Sequence, residues 1–177
     1  HTVAKERILR SIHFLGGVIL VLGAFVATND FVTKPAVAAP RPYVLKPAKE
    51  GLLKADDFCA LPDQKTRSAF LQEALNENSD NEVVQSLDPE IRKHWELETG
   101  FSFPSGHSLN AFLFAIFIGF LIQGLFESGK RWLWLPFLWA CGICLSRIAV
   151  GSDFPIDVTT GSLLGGTVGS LVLMLAR

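Results

Sequence analysis

The sequence predicts an all-α integral membrane protein, and three observations support this fold class. The chain has 177 residues, 49% of them hydrophobic, and its mean hydropathy of +0.34 is high for a water-soluble domain. Four apolar runs, at about 8–27, 108–126, 132–150 and 156–176, each approach the roughly 20 residues with which a helix spans a bilayer. A polar interval at 31–104 separates the first run from the others. We therefore expect a single domain over 1–177, with four membrane helices and an outer loop.

The start of the chain carries a basic flank, Lys5, Arg7 and Arg10, and Asn29 with Asp30 is predicted to end the first apolar run. The first position is histidine rather than methionine, so we expect a fragment, a processed chain or a trimmed chain with segments upstream. The basic, apolar and cleavage segments of a signal peptide do not follow one another at this end, and we predict none.

The outer loop is predicted to contain short helices. Prolines punctuate 34–42, which argues against a regular helix there. At 66–78, apolar residues recur at helical spacing. An Asp-Pro-Glu sequence opens 88–98 with an N-cap, a proline at the first helical position and an acid in the first turn. That helix would place Ile91 and Trp95 on one face.

The basic residues predict the topology of the four membrane helices. If the helices alternate in direction, one side of the membrane receives Lys5, Arg7, Arg10, Lys130, Arg131 and Arg177. By the positive-inside rule that side is the cytoplasm. The outer loop and the short 151–155 connection then lie on the other side. We expect a multi-pass membrane protein with its functional site on the outer face.

Cysteine usage and charge exclude several classes of function. Cys59 has no obvious partner, and Cys141 and Cys144 lie inside an apolar run without a second pair to complete a metal site. We interpret Cys141 and Cys144 as small core residues, and Cys59 implies no disulfide framework. The net charge is −1 and the loop is acidic, which argues against a nucleic-acid partner. No obligate protein partner is evident; the expected partners are membrane lipids.

The 100–107 stretch, which reads Gly-Phe-Ser-Phe-Pro-Ser-Gly-His, joins the acidic loop to the second apolar run. Its last four residues place a hydroxyl, a glycine and an imidazole at the start of a predicted helix. Free backbone N–H groups and the positive end of a helix favour a bound anion. The alternative interpretation of this stretch is an ordinary N-cap before a membrane helix.

Three polar clusters are predicted to meet at the outer face. They are Lys34 with Arg41, Ser105 with Gly106 and His107, and Ser146 with Arg147, Asp153 and Asp157. Arg147 lies near the outer end of an apolar helix, where a charged residue indicates a functional site. Alternatively, Arg147 reaches the lipid headgroups or pairs with Asp157. Two arginines, a lysine and backbone N–H groups at one place would bind a dianionic phosphate.

The order and spacing of these residues resemble the type 2 phosphatidic acid phosphatase (PAP2) family. The family signature has three parts, K-x6-R-P, P-S-G-H and S-R-x5-H-x3-D. The corresponding stretches here are Lys34-x6-Arg41-Pro42, Pro104-Ser105-Gly106-His107 and Ser146-Arg147-x5-Asp153-x3-Asp157. The resemblance runs from about Lys34 to Asp157 and differs from the signature at one fixed position.

The resemblance implies a role for each matching residue. Lys34, Arg41, Ser105, Gly106 and Arg147 would bind the phosphate oxygens and stabilise the transferring phosphoryl group. His107 would be the general acid that protonates the leaving alkoxide. Asp157 would orient and charge-stabilise the nucleophilic histidine. Neither a metal nor a cofactor is needed in this scheme.

The mismatch falls on the nucleophile, because Asp153 occupies the position of the histidine that becomes phosphorylated. Three explanations stay open: a deliberate substitution that inactivates an enzyme, a natural pseudo-enzyme, and a working carboxylate nucleophile. A second difference concerns architecture. Family members of this kind have six membrane helices, so the resemblance implies two more helices upstream of this chain. It also implies a multi-pass protein of the bacterial inner membrane with its site on the periplasmic face.

The leading functional prediction is an integral-membrane lipid phosphate phosphatase that Asp153 inactivates. Its expected substrate is phosphatidylglycerol phosphate, with phosphatidic acid and undecaprenyl pyrophosphate as alternatives. The competing class is a lipid-phosphate binding protein without turnover. A structural membrane protein would not explain Arg147. A soluble vanadate-dependent haloperoxidase shares the motif pattern, but four long apolar runs argue against it.

Overall fold

A computed structural model of the protein describes residues 16–125 and 129–175, and every regular element in these residues is helical. Helix α1 occupies residues 16–28 and continues through a π-helical turn, Asn29–Thr33, into Lys34–Val37. The other helices are α2 (Pro42–Lys49), α3 (Ala55–Ala60), α4 (Gln64–Glu77), α5 (Glu82–Gln85), α6 (Pro89–Leu97), α7 (Gly106–Leu125), α8 (Trp134–Ala149) and α9 (Pro155–Leu175), with a 3-10 turn at Gly129–Trp132 before α8.

Within residues 16–125 and 129–175, four helical stretches are long and apolar enough to cross a membrane, at Gly16–Lys49, Gly106–Gly124, Lys130–Ala149 and Pro155–Leu175. The prediction of an all-α protein with four membrane helices is therefore confirmed. The basic flank at 5–10, residues 8–15 of the first run, the last residue of the 108–126 run and of the 156–176 run, and Arg177 lie outside the described residues.

The first membrane helix extends further than the sequence predicted. Asn29 and Asp30 do not end it, because a π-helical turn begins there and leads into Lys34–Val37. Pro35 is tolerated because it lies in the first turn of this new α-helical segment, where its missing N–H has no required acceptor. The helix ends at Ala38, which has a φ of 49°. The 34–42 stretch therefore does not continue as one regular helix, as predicted, but its first four residues, Lys34–Val37, are helical.

Helices α7 and α9 pack against each other through glycines of α9 that recur every fourth residue, at Gly161, Gly165 and Gly169, a spacing that allows close helix packing. A Cβ atom on Gly161 would lie 2.3 Å from the backbone oxygen of Ser105, and one on Gly165 would lie 2.0 Å from that of Leu109. The two backbones therefore approach more closely than any other residue type would allow. Helix α8 packs on another side of α7, where Ala140 meets Ala111 and Ala115.

The outer loop has a hydrophobic core of its own. Tyr43 and Trp95 stack with their ring centroids 5.4 Å apart, and Phe58, Leu71 and Leu75 are fully buried beside them. Helices α4 and α6 cover the stretches predicted at 66–78 and 88–98, and the side chains of Asp63 and Asp88 cap their first turns. The loop is thus a folded layer above the membrane helices.

The two cysteines of the apolar run only partly match the prediction that they are core residues. Cys144 is buried, and Cys59 packs against the loop core. Cys141 is exposed, so the prediction was wrong for this residue. Helices α8 and α9 both pack on α7 but leave an open apolar groove between them, and Cys141 lies in the wall of that groove.

Candidate active site

Four residues from three distant segments meet where the loop touches the outer ends of the membrane helices. Arg41 immediately precedes α2, Ser105 precedes α7, Arg147 lies in the last turn of α8, and Asp153 lies in the connection to α9. Each of these side chains is at most 7% exposed. Three of the four were expected to bind phosphate, and the fourth occupies the predicted nucleophile position.

The connection between α8 and α9 fixes the position of Asp153. Gly151 has a φ of +70°, which glycine adopts without steric cost, and it turns the chain back towards α9. The backbone N–H groups of Ser152 and Asp153 then donate to the carbonyl oxygen of Arg147, at 3.0 and 3.3 Å. The carboxylate of Asp153 is thereby directed towards Arg147 on the preceding helix.

The carboxylate of Asp153 accepts three hydrogen bonds from neighbouring side chains. Its Oδ1 atom accepts from Arg41 Nη1 at 2.8 Å. Its Oδ2 atom accepts from Ser105 Oγ at 2.7 Å and from Arg147 Nε at 3.1 Å. The groups predicted to hold phosphate oxygens therefore hold carboxylate oxygens of the chain itself.

A second carboxylate, that of Glu98, contacts the same two arginines. The sequence analysis did not single out this residue. Its Oε1 atom is 2.8 Å from Arg147 Nη2 and 3.3 Å from Arg41 Nη2. Its Oε2 atom is 3.0 Å from the imidazole of His94, one turn earlier. The spacing of four residues between His94 and Glu98 is the local signal that could have indicated a pair on one helix face.

The charges of this centre cancel. The positive groups are Arg41 and Arg147, and the negative groups are Asp153 and Glu98. Burial alone would raise the pKa of Glu98, but the two guanidinium groups outweigh that effect and hold its pKa below the usual value. The carboxylate therefore stays ionised at neutral pH. Oxygens of Asp153 and Glu98 occupy donor positions on both guanidinium groups, so a dianionic phosphate that takes those positions must displace them.

Lys34 lies at the edge of the centre, beside the start of α7. Its Nζ atom pairs with Asp30 at 2.8 Å, one helical turn earlier. The same atom lies 3.6 Å from the position that a Cβ atom of Gly106 would take, and Asn29 Nδ2 lies 3.2 Å from that position. A glycine at 106 thus leaves room for both groups against the N-terminus of α7.

His107 borders a cavity of about 600 Å3 between α1, α7 and the loop. Its side chain is 57% exposed, and its Nδ1 atom is 3.7 Å from Glu98 Oε1. The cavity wall also contains Lys34, Arg41, Arg67, Glu98 and Asn110. The imidazole could therefore meet a ligand in this cavity without first leaving a buried position.

Asp157 and Ser146 are not part of the hydrogen-bonded centre. The Oδ2 atom of Asp157 accepts from the backbone N–H of Phe154 at 2.8 Å and caps the first turn of α9. Among the described residues, no hydrogen bond joins it to Asp153 or Arg147, so the alternative pairing of Arg147 with Asp157 was wrong. Its backbone oxygen accepts from the N–H of Ser105. Ser146 Oγ donates to the backbone of its own helix, at Ile143.

Comparison with known proteins identifies related sequences along most of the chain. A model of the PAP2 superfamily matches residues 12–177. Phosphatidylglycerophosphatase B of Escherichia coli is 31% identical over 146 residues, which cover 81% of this chain and 53% of that protein. The bacitracin transport permease protein BcrC of Bacillus licheniformis is 46% identical over 77 residues (44% of this chain, 34% of that protein).

A third relative is the lipid A 4'-phosphatase of Bacteroides thetaiotaomicron, which is 37% identical over 79 residues (44% of this chain, 32% of that protein). The chain thus spans about half the length of the first of these relatives and a third of the other two.

Proposed function

This chain belongs to the PAP2 superfamily, a family of phosphatases, and we propose that it carries a lipid-phosphate site in which Asp153 prevents turnover. The expected lipid is phosphatidylglycerol phosphate, because the similarity to a phosphatidylglycerophosphatase covers 81% of the chain. Phosphatidic acid and undecaprenyl pyrophosphate are the alternatives. In this proposal the present chain binds the phosphate headgroup without hydrolysing it.

The observation that carries the proposal is the set of contacts of Asp153. Both of its oxygens are engaged by Arg41, Arg147 and Ser105, and the residue is 2% exposed. A carboxylate held in this way is a weak nucleophile, since its lone pairs are already directed at three donors. It also places a negative charge where an incoming phosphate oxygen would lie. Both effects argue against a working carboxylate nucleophile.

The proposal gives the remaining residues the roles that the family signature implies. With an imidazole at position 153, that ring would attack phosphorus, and the P–O bond to the lipid would break as His107 protonates the leaving oxygen. Arg41, Arg147 and Lys34 would neutralise the phosphoryl oxygens in the transition state. We place the site on the periplasmic face, because Lys130 and Arg131 lie at the opposite ends of α7 and α8.

The decisive experiment compares the chain with Asp153→His and Asp153→Asn variants. All three would be purified in detergent and assayed for phosphate release from phosphatidylglycerol phosphate and for binding of the same lipid. We expect release only from Asp153→His. Asp153→Asn removes the negative charge without supplying a nucleophile, so it should bind the lipid more tightly and still release no phosphate.

Two results would contradict the proposal. Phosphate release by the unmodified chain at the same measurable rate as by Asp153→His would mean that Asp153 does not disable the site. A phosphorylated intermediate of the unmodified chain that is cleaved by hydroxylamine would identify an acyl phosphate and hence a carboxylate nucleophile. If every variant binds the lipid and none of them releases phosphate, the results would favour a lipid-phosphate binding protein that is not a disabled phosphatase.

A further inference from the structure

One buried cation of the outer loop has no role in the proposed phosphate chemistry. Arg67 lies in the first turn of α4, is 7% exposed, and lines the same cavity as Arg41 and His107. Within residues 16–125 and 129–175, no carboxylate forms an ion pair with its guanidinium group. A buried charge without a counter-charge is unfavourable, because it has lost its water and gained no opposite charge in exchange. Such a cation in the wall of a cavity indicates a site for an anion.

The contacts of Arg67 fix its guanidinium group and leave one nitrogen unused. Its Nε atom donates to the backbone oxygen of Thr99 at 2.9 Å, and its Nη1 atom donates to that of Leu61 at 3.0 Å. The group lies over the ring of Phe101, with Cζ 4.7 Å from the ring centroid. The Nη2 atom donates to none of the described residues and is not fully buried. Its N–H groups are therefore available to a ligand in the cavity.

The acidic residue one turn before Arg67 does not neutralise it. Asp63 also lines the cavity, but its side chain accepts from the backbone N–H of Thr66 at 2.8 Å and caps α4. Burial lowers the pKa of Arg67 below its usual value, so the attraction of Asp63 does not offset the loss of water. Lys34 and Arg41, which line the cavity as well, each pair with a carboxylate. In the described part of this wall, Arg67 is the arginine whose charge stays unpaired.

Neighbouring carbonyl groups hold Arg67 and the charged centre close to each other. Arg41 Nε donates to the backbone oxygen of Gly100 at 2.7 Å, next to the carbonyl of Thr99 that holds Arg67. Because the Cα atoms of consecutive residues are about 3.8 Å apart, the two Nε atoms can be no more than roughly 14 Å apart. Phosphatidylglycerol phosphate carries a terminal phosphomonoester and an internal phosphodiester, whose phosphorus atoms are six bonds apart. With a charge-assisted hydrogen bond at each end, this headgroup spans up to about 15 Å and can reach both arginines at once.

We propose that Arg67 binds the second phosphate of a lipid headgroup that carries two, with the phosphodiester of phosphatidylglycerol phosphate as the expected ligand. This inference rests on the proposed lipid-phosphate site, in which Arg41 and Arg147 bind the terminal phosphomonoester. A phosphodiester is a monoanion, and the free nitrogen of Arg67 supplies the positive charge and the N–H donors that it needs. Phosphatidic acid has the phosphomonoester alone and leaves Arg67 unpaired. Undecaprenyl pyrophosphate also has a second phosphate, at a shorter spacing.

The test measures the affinity of the full chain in detergent for phosphatidylglycerol phosphate and for phosphatidic acid. Arg67→Gln removes the charge and keeps a donor for one of the two backbone oxygens. We expect it to weaken binding of phosphatidylglycerol phosphate about tenfold, the loss of one charge-assisted hydrogen bond, and to change binding of phosphatidic acid by less than about twofold. Arg92→Gln is the matched control, because Arg92 is a loop arginine that pairs with Glu96 and does not line the cavity. It should alter neither affinity.

The ratio of the two affinities separates recognition from a folding defect. Arg67 also joins α4 to Leu61 and Thr99, so Arg67→Gln is expected to lower the melting temperature, but a general loss of structure would weaken both lipids alike. Equal losses for both lipids, or no loss for phosphatidylglycerol phosphate, would overturn the role of Arg67. The unmodified chain tests the same ratio without a substitution and should bind phosphatidylglycerol phosphate at least about tenfold more tightly than phosphatidic acid. Equal affinities would overturn this inference and leave the lipid-phosphate site intact.

Undecaprenyl pyrophosphate, in the same assay, distinguishes the two sources of a second phosphate. A loss for phosphatidylglycerol phosphate in Arg67→Gln, with or without one for the pyrophosphate lipid, supports the phosphodiester. A loss confined to undecaprenyl pyrophosphate would assign Arg67 to a pyrophosphate and overturn the phosphodiester. If the unmodified chain and Arg92→Gln bind none of the three lipids, the proposed function fails, and this inference fails with it.

Discussion

The outer loop and the α7–α9 pair are stabilised in different ways. The loop buries large side chains such as Tyr43, Leu75 and Trp95 in a core like that of a small soluble domain. The helix pair buries Gly161 and Gly165 and brings two backbones into contact. This difference follows from the solvent. Water drives apolar side chains together, whereas lipid does not, so helices in a bilayer gain most from close backbone packing.

The charged centre joins these two regions. Arg41 and Glu98 belong to the loop, whereas Arg147 belongs to α8, and Ser105 and Asp153 lie just before α7 and α9. The ion pairs of Arg41 with Asp153 and of Glu98 with Arg147 therefore cross the boundary. The geometry of the centre depends on both regions at once, so changes in either region test how strongly the two are coupled.

The largest effect is expected from Gly165→Leu. A leucine there has no space, because even its Cβ atom would lie 2.0 Å from the backbone oxygen of Leu109. The two helices would have to separate, and the start of α7 with Ser105 would move with them. We expect no folded, monodisperse protein in size-exclusion chromatography.

The neighbouring residue provides the matched control for that variant. A Cβ atom on Gly166 would meet nothing within 4 Å, so Gly166→Leu should purify like the unmodified chain. If both variants behave alike, the stability of the pair does not depend on backbone contact at Gly165, and the contrast between the two regions is lost.

Leu75→Ala tests the loop core. Leu75 is fully buried in the loop, and removal of such a side chain costs about 2–5 kcal/mol. Hydrogen exchange should show faster opening of α4 and α6, with unchanged protection in α7 and α9. Leu97→Ala is the control, because Leu97 is 67% exposed and its truncation should have little effect. Equal loss of protection in the membrane helices would show that the two regions unfold as one unit.

The sequence predicted the parts of the molecule that local patterns specify. Apolar runs of about 20 residues indicated the membrane helices, and the Asp-Pro-Glu start indicated α6. The spacing of Lys34, Arg41, Ser105 and Arg147 identified basic and polar groups for one site. The structure brings Arg41, Ser105 and Arg147 together around Asp153. Their roles in phosphate binding stay predictions.

Contacts between distant segments were not predictable in the same way. Glu98 is separated by 57 residues from Arg41 and by 49 from Arg147, so no periodicity links them. The continuation of α1 beyond Asn29 requires a π-helical turn, and neighbouring prolines pointed towards a loop. The exposure of Cys141 depends on how α8 and α9 diverge from each other where they pack on α7. The hydrophobicity of an apolar run does not reveal which of its faces packs against another helix.

The smallest effect is expected from Glu98→Gln, and its sign depends on pH. Because the pKa of Glu98 is lower in the folded chain than its usual value, ionised Glu98 stabilises the fold above the usual glutamate pKa. This contribution is lost as the pH falls through the lowered value. The unmodified chain should therefore melt about 2–4 °C above Glu98→Gln at neutral pH. That difference should shrink below about pH 4.

Glu73→Gln, on the exposed side of α4, is the control for the pH series and should follow the unmodified chain throughout. A constant difference between Glu98→Gln and the unmodified chain from neutral to acidic pH would show that the ionisation of Glu98 does not stabilise the boundary. A difference that grows in acid would show that folding does not lower the pKa of Glu98. If it shrinks as expected, the ion pairs of Glu98 with Arg41 and Arg147 hold the loop on the membrane helices.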